Sequence, residues 1–214
     1  MSHNSDKVRI AVFASGRGSN FRAVHHVLMA RMDSPAEVVL CISNNPEPEA
    51  FQFAREHNIP AVRLSPKMFL DDPETYQKEL LALLREHRIG LILLAGYMRK
   101  LPPNVVNAFR GRIINVHPAL LPAYGGQGMY GMNVHRAVIE AGDKESGPTV
   151  HLVDEEYDTG PIVAAKRVPV LPGDTPETLA ERVLHAEHEL LPKVVIAAAE
   201  RISRGEPIGE LQID

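Results

Sequence analysis

Asn115 and His117 are the side chains whose types and spacing point most directly to chemistry. They alternate along the end of a strand-like run at 112–116, so both would point to the same face of a sheet. Pro118 then directs the chain into a loop. An imidazole that moves a proton, beside an amide N–H₂ that stabilises an oxyanion, can serve acyl transfer. The alternative is a hydrogen-bonded histidine that merely ends a strand.

A carboxylate next to such a histidine would orient the ring and favour its charged form. The acidic loop 154–160 joins two strand-like runs and contains four acids: Asp154, Glu155, Glu156 and Asp158. Asp158 is a candidate for the partner, although sequence spacing alone does not choose among the four.

A glycine-rich turn, "SGRGSN" at 15–20, follows another apolar run and precedes an amphipathic segment. A Walker loop is excluded because the Lys-Ser/Thr pair is missing, and a dinucleotide fingerprint fails because Phe21 replaces the third glycine. Backbone N–H groups, the side chains of Ser19 and Asn20, and a helix N-terminus together suit one phosphate. The alternative is a tight strand-to-helix turn without a ligand.

These side chains need a sheet to position them, and the hydrophobic pattern predicts one. Alternating strands and helices in the first half indicate a parallel sheet with crossover helices. Strands are predicted at 8–14, 36–43, 61–64, 89–95, 112–116, 148–153 and 161–168, and helices at 21–31, 49–57, 73–88, 134–141 and 175–201. We therefore expect an α/β fold with a mainly parallel sheet of about seven strands, the last of them added to the same sheet. The ligand crevice of such a sheet lies at the carboxyl ends of its strands.

Composition bounds the function further. The 214 residues suit one domain, and the net charge of -4 comes from interspersed charges, so neither nucleic acid nor a membrane surface is an expected partner. The single cysteine, Cys41, lies in an apolar run and is expected in the core. The polar N-terminus lacks an apolar signal core and no run is long enough for a membrane helix, so we expect a cytoplasmic protein.

The motifs "FASGRGSN", "AGYMRKL", "INVHPALLP", "DEEYDTGPIV" and "AEHELLP" occur in that order between residues 7 and 200. In order and approximate spacing, this set resembles the phosphoribosylglycinamide formyltransferase family of folate-dependent enzymes. The resemblance implies a single Rossmann-like domain over 1–214, with a phosphate-binding half at 7–100 and a catalytic and folate-binding half at 101–201. It also implies formyl transfer from 10-formyltetrahydrofolate to the amine of a glycinamide ribonucleotide in purine synthesis, with no metal.

The resemblance assigns roles to individual residues. The phosphate turn would be Gly18, Ser19 and Asn20, and Glu187 would contact the glycinamide substrate. The segment bordering the folate would consist of Met98, Arg99, Lys100 and Leu101, with Asn115 also contacting this cosubstrate. The catalytic residues would be Asn115, His117 and Asp158, the last raising the pKa of the histidine. The enzyme would act on these small molecules as a monomer or homodimer.

Two features depart from the pattern. Pro73 stands where many relatives have a basic folate-contacting residue, and Lys67 is a possible substitute. The glycine-rich loop at 123–135 is also longer than that of shorter members, and we expect it to close over the crevice or to pack permanently against the domain or a neighbouring subunit. Two other functions stay open: another folate-dependent formyltransferase, including one that releases formate, and a nucleotide-binding module without catalysis.

Structural or surface positions are expected for five other histidines. His25 and His26 are expected on a helix surface, and His151 as a structural residue of a strand. His185 and His188 have a spacing that suits a metal, but no acidic ligand set accompanies them, so a solvated or packed helix face is expected.

Overall fold

The computed structural model describes residues 7–213 and confirms the alternation of strands and helices in the first half. The strands are β1 (Val8–Phe13), β2 (Ala36–Ser43), β3 (Ala61–Arg63), β4 (Leu91–Leu94), β5 (Ile113–His117), β6 (Glu145–Ser146), β7 (Thr149–Leu152), β8 (Ile162–Ala165) and β9 (Val168–Pro169). The helices are α1 (Ser19–Ala30), α2 (Glu49–Glu56), α3 (Pro73–Glu86), α4 (Pro103–Ala108), α5 (Met132–Ala141) and α6 (Pro176–Ser203), with a 3₁₀ turn at Pro66–Phe69.

Seven strands form one sheet in the order β3-β2-β1-β4-β5-β7-β8. The first five are parallel, whereas β7 pairs antiparallel with β5 and β8 antiparallel with β7. The predictions of a mainly parallel sheet and of later strands joining it are confirmed; β6 and β9 form a separate two-stranded sheet. The strand order turns back between β1 and β4, which is where open α/β sheets bind ligands.

Two hydrophobic clusters cover the two faces of the sheet, because side chains alternate along each strand. In β1, Ile10 and Val12 face a cluster that α1, α2 and α6 also build, whereas Ala11 and Phe13 face a cluster shared with α3 and α4. Cys41 is fully buried in the first cluster, as expected. The buried sheet is therefore a rigid base for the loops at its carboxyl edge.

Helix α6 is the longest element and carries a predicted substrate residue to the site. Thr175 caps it in a reciprocal arrangement with Thr178, which satisfies backbone N–H groups of the first turn. The helix packs against α1 on one face of the sheet. This packing brings Glu187 of α6 next to Asn20 at the start of α1.

The expectation that His25 lies on the helix surface is wrong, while His26 is exposed as expected. His25 continues the apolar stripe of Phe21, Val24 and Leu28, with the 3- and 4-residue spacing of one helix face. Its ring packs edge-on against Phe53 of α2, at 5.4 Å between centroids. Burial, together with neighbouring histidines, lowers its pKa from 6.5 to about 4.

Helix α4 was not anticipated from the sequence. It has only six residues and begins at Pro103, directly after Pro102, so it lacks the length over which a helical period becomes visible. Across 7–213, none of the helices combines the length and the apolarity that crossing a bilayer requires.

Candidate active site

The candidate catalytic side chains come from β5 and from the loop after β7. Asn115 and His117 occupy alternate positions of β5, and the loop between β7 and β8 carries Asp158 back over this strand. Nδ1 of His117 lies 3.6 Å from Oδ2 of Asp158, and both side chains are largely buried. The structure thus brings together all three predicted catalytic residues.

The other three acids of the loop lie elsewhere. Glu155 accepts a hydrogen bond from Asn107, Glu156 pairs with Lys100, and Asp154 accepts hydrogen bonds from Thr159 and from the backbone of its own loop. Asp158 is therefore the acid of this loop that faces the histidine.

The protonation of His117 follows from its two neighbours. Nε2 lies 2.7 Å from the Tyr124 carbonyl, and since a carbonyl only accepts, Nε2 carries the hydrogen and donates it. Nδ1, which faces the carboxylate, is then the nitrogen that gains or loses a proton. Burial lowers the pKa of His117 below 6.5, outweighing the opposite effects of the Asp158 charge and of the Tyr124 carbonyl. The acid acts in the direction that the resemblance implied, but the net pKa is lowered.

His151 links the predicted amide to the predicted acid. Antiparallel pairing places it opposite Asn115, and its Nε2 lies 3.0 Å from Asn115 Nδ2 and 3.5 Å from Asp158 Oδ1. Nδ1 of His151 donates to the Leu152 carbonyl at 2.8 Å, so in the neutral ring Nε2 accepts from the Asn115 amide. This contact orients the carboxamide and uses one hydrogen of the Asn115 N–H₂, so the other N–H takes no part in it.

The start of the long loop closes around the acid. The Gly126 backbone N–H donates to Asp158 Oδ2 at 3.0 Å, and a side chain at Gly125 would meet Leu121 at 2.7 Å and Asp158 at 3.2 Å. Burial raises the pKa of Asp158, but a hydrogen bond that His151 Nε2 donates when its ring is charged, the Gly126 N–H and the charge of His117 together hold the pKa below 3.8. Asp158 is consequently an anion near neutral pH.

His135 adds a further imidazole beside this cluster. It lies in the first turn of α5 and is buried, with no hydrogen-bond partner for Nδ1 among the described residues 7–213. Burial and the charge of His117 both lower its pKa. His135 is thus held neutral near the catalytic candidates.

The glycine turn joins β1 to α1 as predicted. Gly18 has a φ of 70°, and a side chain there would meet the Ala50 side chain at 2.8 Å, so glycine suits both the conformation and the space. The helix begins at Ser19 without a side-chain cap, which leaves its first N–H groups available to an anion.

Asn20 does not offer its amide nitrogen to the turn. Its Nδ2 donates to Glu187 Oε2 at 2.5 Å, and both side chains are buried. Burial raises the pKa of Glu187 from 4.5 to about 7, with the bond from Asn20 acting in the opposite direction. Two predicted substrate residues therefore form one buried pair.

The predicted folate segment follows β4 at the same edge. The side chains of Met98, Arg99 and Lys100 are exposed, and the Lys100 ammonium lies 5.4 Å from the centre of the Tyr157 ring in the acidic loop. Leu101 instead packs into the cluster shared with α3 and α4. Three of the four side chains are thus exposed at this edge, and the fourth anchors the segment.

Comparison with known proteins assigns the family. A sequence model described as formyl transferase matches residues 8–195. The chain belongs to the formyl transferase family. It is 46% identical over 200 residues to phosphoribosylglycinamide formyltransferase, chloroplastic, of Arabidopsis thaliana, an alignment that covers 93% of this chain and 68% of that protein.

Two further relatives match over most of their length. Phosphoribosylglycinamide formyltransferase of Bacillus subtilis is 37% identical over 199 residues, covering 92% of this chain and 98% of that protein. The crystal structure of glycinamide ribonucleotide transformylase 1 from Symbiobacterium toebii superimposes with a TM-score of 0.83 at 34% identity, covering 91% of this chain and 88% of that one. The expected fold and family are therefore confirmed.

Two parts of this formyl transferase site were missed from the sequence. His151 was expected to be structural, because its place opposite Asn115 depends on an antiparallel register that the sequence does not reveal. The Tyr124 carbonyl and the Gly126 N–H act through the backbone, so no residue type signals them. The four glycines of this loop were the available hint that its backbone is unusual.

The structure also locates the residues that departed from the family pattern. Pro73 is the first residue of α3, where its missing N–H removes no helical hydrogen bond. Lys67 is exposed in the preceding 3₁₀ turn. Within 7–213, no group of three or more His, Cys, Asp or Glu side chains is arranged so that it could hold a metal ion.

Proposed function

We propose that this protein transfers the formyl group of 10-formyltetrahydrofolate to the amine of 5'-phosphoribosylglycinamide, a step of de novo purine biosynthesis. The observation that carries the proposal is the cluster of Asn115, His117 and Asp158 at the strand ends of a formyl transferase fold. The printed names of the Arabidopsis and Bacillus relatives support the choice of substrate.

The cluster fits direct transfer through a tetrahedral intermediate. The substrate amine attacks the formyl carbon, and the carbonyl oxygen becomes an oxyanion that the free N–H of Asn115 stabilises, an effect worth about 3–4 kcal/mol in other oxyanion holes. The amine then loses a proton and the folate nitrogen gains one as the carbon–nitrogen bond to the folate breaks. His117 is the group that moves this proton, with Asp158 stabilising the imidazolium.

Different segments of the chain bind the two substrates in this proposal. We propose that the turn of Gly18, Ser19 and Asn20 holds the ribonucleotide phosphate, with Glu187 near the glycinamide. Met98 to Leu101 border the folate. This divides the domain into a phosphate-binding half at 7–100 and a catalytic and folate-binding half at 101–201.

Incubating the protein with both substrates and measuring tetrahydrofolate, formate and formylated ribonucleotide tests the proposal. Formylated product equal to the tetrahydrofolate formed is expected; formate alone would indicate hydrolysis, and no turnover would contradict the proposal. His117→Ala should lower kcat by about 10²–10⁴ with little change in the binding of either substrate. His26→Ala, at an exposed position of α1, is the control and should leave kcat unchanged.

The proposal also includes the cellular location and the oligomeric state of the enzyme. We place it in the cytoplasm, acting as a monomer or homodimer on small molecules only. Fractionation of cells and sedimentation analysis of the pure protein measure the two properties, and a membrane-bound or larger species would contradict them.

A further inference from the structure

Ser15, a residue with no role assigned so far, joins the two segments that the proposed function gives to different substrates. It follows β1 and is buried, with 8% of its surface exposed. At the end of β1, the Phe13 carbonyl accepts from the Ala95 N–H, and beyond both β1 and β4 the Ser15 N–H donates to the Gly96 carbonyl. The Met98 N–H then donates to Ser15 Oγ at 2.8 Å. The phosphate turn and the folate segment are therefore connected beyond the sheet.

The direction of the Ser15 hydroxyl is set by two asparagines after β2. Ser15 Oγ donates to Asn44 Oδ1 at 2.6 Å, Asn44 Nδ2 donates to Asn45 Oδ1 at 2.9 Å, and Asn45 Nδ2 donates to the Ser15 carbonyl at 2.5 Å. In this closed ring each amide has one possible orientation. Because a hydroxyl has a single hydrogen, which Asn44 receives, the oxygen is left to accept from Met98.

We propose that Ser15 is a positioning residue that fixes the main chain at Met98 relative to the phosphate turn, and so sets the folate against the ribonucleotide. The turn has its own supports: the Ala50 N–H donates to the Gly16 carbonyl, and Asn20 pairs with Glu187. Loss of the Ser15 hydroxyl consequently releases the folate segment while the phosphate turn stays in place. The inference rests on the proposed function only for the identity of the two ligands.

Ser15→Ala tests the inference, with Ser34→Ala as the matched control. Ser34 is also a buried serine, and its hydroxyl donates to the Ala36 carbonyl at the start of β2, away from the ring of Ser15, Asn44 and Asn45. In Ser15→Ala the KM for 10-formyltetrahydrofolate should rise about fivefold, the factor that corresponds to one neutral hydrogen bond. The affinity for the ribonucleotide, measured by calorimetry without folate, should stay within about twofold, and Ser34→Ala should change neither value.

Hydrogen exchange gives a readout that needs no substrate. The Met98 amide should exchange faster in Ser15→Ala than in the wild type, and at the wild-type rate in Ser34→Ala. Asn44→Ala provides a second variant at a half-buried position, because removing the acceptor lets the hydroxyl rotate away from Met98 and should also accelerate exchange.

The outcomes separate this inference from the proposed function. Faster exchange at Met98 with the expected KM change supports the positioning role. Unchanged exchange in folded Ser15→Ala and Asn44→Ala overturns it, as does an equal loss of both ligands in Ser15→Ala and Ser34→Ala. Wild-type protein that transfers no formyl group contradicts the proposed function, while the exchange experiment still decides the role of Ser15.

Discussion

Glu187→Gln should stabilise the protein at pH 8 and leave its stability nearly unchanged at pH 5. Burial raises the pKa of Glu187 from 4.5 to about 7, so the folded protein holds this proton more tightly than the unfolded chain does. Stability is therefore lost as the pH rises from about 4.5 to 7, and the loss is complete above that range. The difference between the two pKa values, at about 1.4 kcal/mol per pH unit, corresponds to about 3 kcal/mol.

The glutamine also suits the hydrogen bonds of this site. Its carbonyl can accept from Asn20 Nδ2 as the carboxylate does. Its N–H₂ offers a donor to Asn20 Oδ1, which is buried and has no hydrogen-bond partner within the described part of the chain. The substitution thus removes a buried charge without leaving a polar group newly unpaired.

Thermal unfolding at pH 5 and pH 8 measures the effect. For a chain of this length, about 3 kcal/mol raises Tm by about 6–12 °C, which we expect at pH 8 only. Glu181→Gln, at an exposed position of α6, is the control and should show no difference between the two pH values. An equal change in Tm at both pH values for Glu187→Gln would refute the assignment of a buried carboxyl group with a raised pKa.

Three further predictions concern catalysis and binding. Gly18→Val forces a branched side chain into a φ of 70° and against Ala50. It should weaken ribonucleotide binding at least about tenfold in calorimetry while folate binding persists, and equal loss of both ligands argues against a phosphate turn. Asp158→Asn should lower kcat and move the acidic limb of the pH–rate profile to lower pH, since losing the anion lowers the pKa of His117 further; an unmoved limb contradicts the pairing. Deleting residues 127–130 should raise the ratio of formate to formylated product if the loop shields the intermediate from water. An unchanged ratio at normal turnover excludes that role, and loss of stability indicates that the loop packs against the protein.

Local patterns were enough to predict the elements and part of the site. Apolar runs and helical periods predict the strands of the parallel sheet within a few residues, because strands buried on both faces consist of consecutive apolar residues. The alternation of Asn115 and His117 placed both at one strand end, and the glycines placed a turn before α1. The apolar stripe through His25 is also visible in the sequence, and for this residue it is a better guide to burial than the polar side chain.

The family, the sheet and the residues at the strand ends can therefore be predicted from the sequence alone. The fold is needed to know which side chains meet: Asp158 rather than its neighbouring acids with His117, His151 with Asn115, and Asn20 with Glu187, which are 167 residues apart. These contacts depend on an antiparallel register, on the path of a loop and on the packing of two helices. Many contacts between residues distant in the sequence determine these features together, so local periodicity does not predict them.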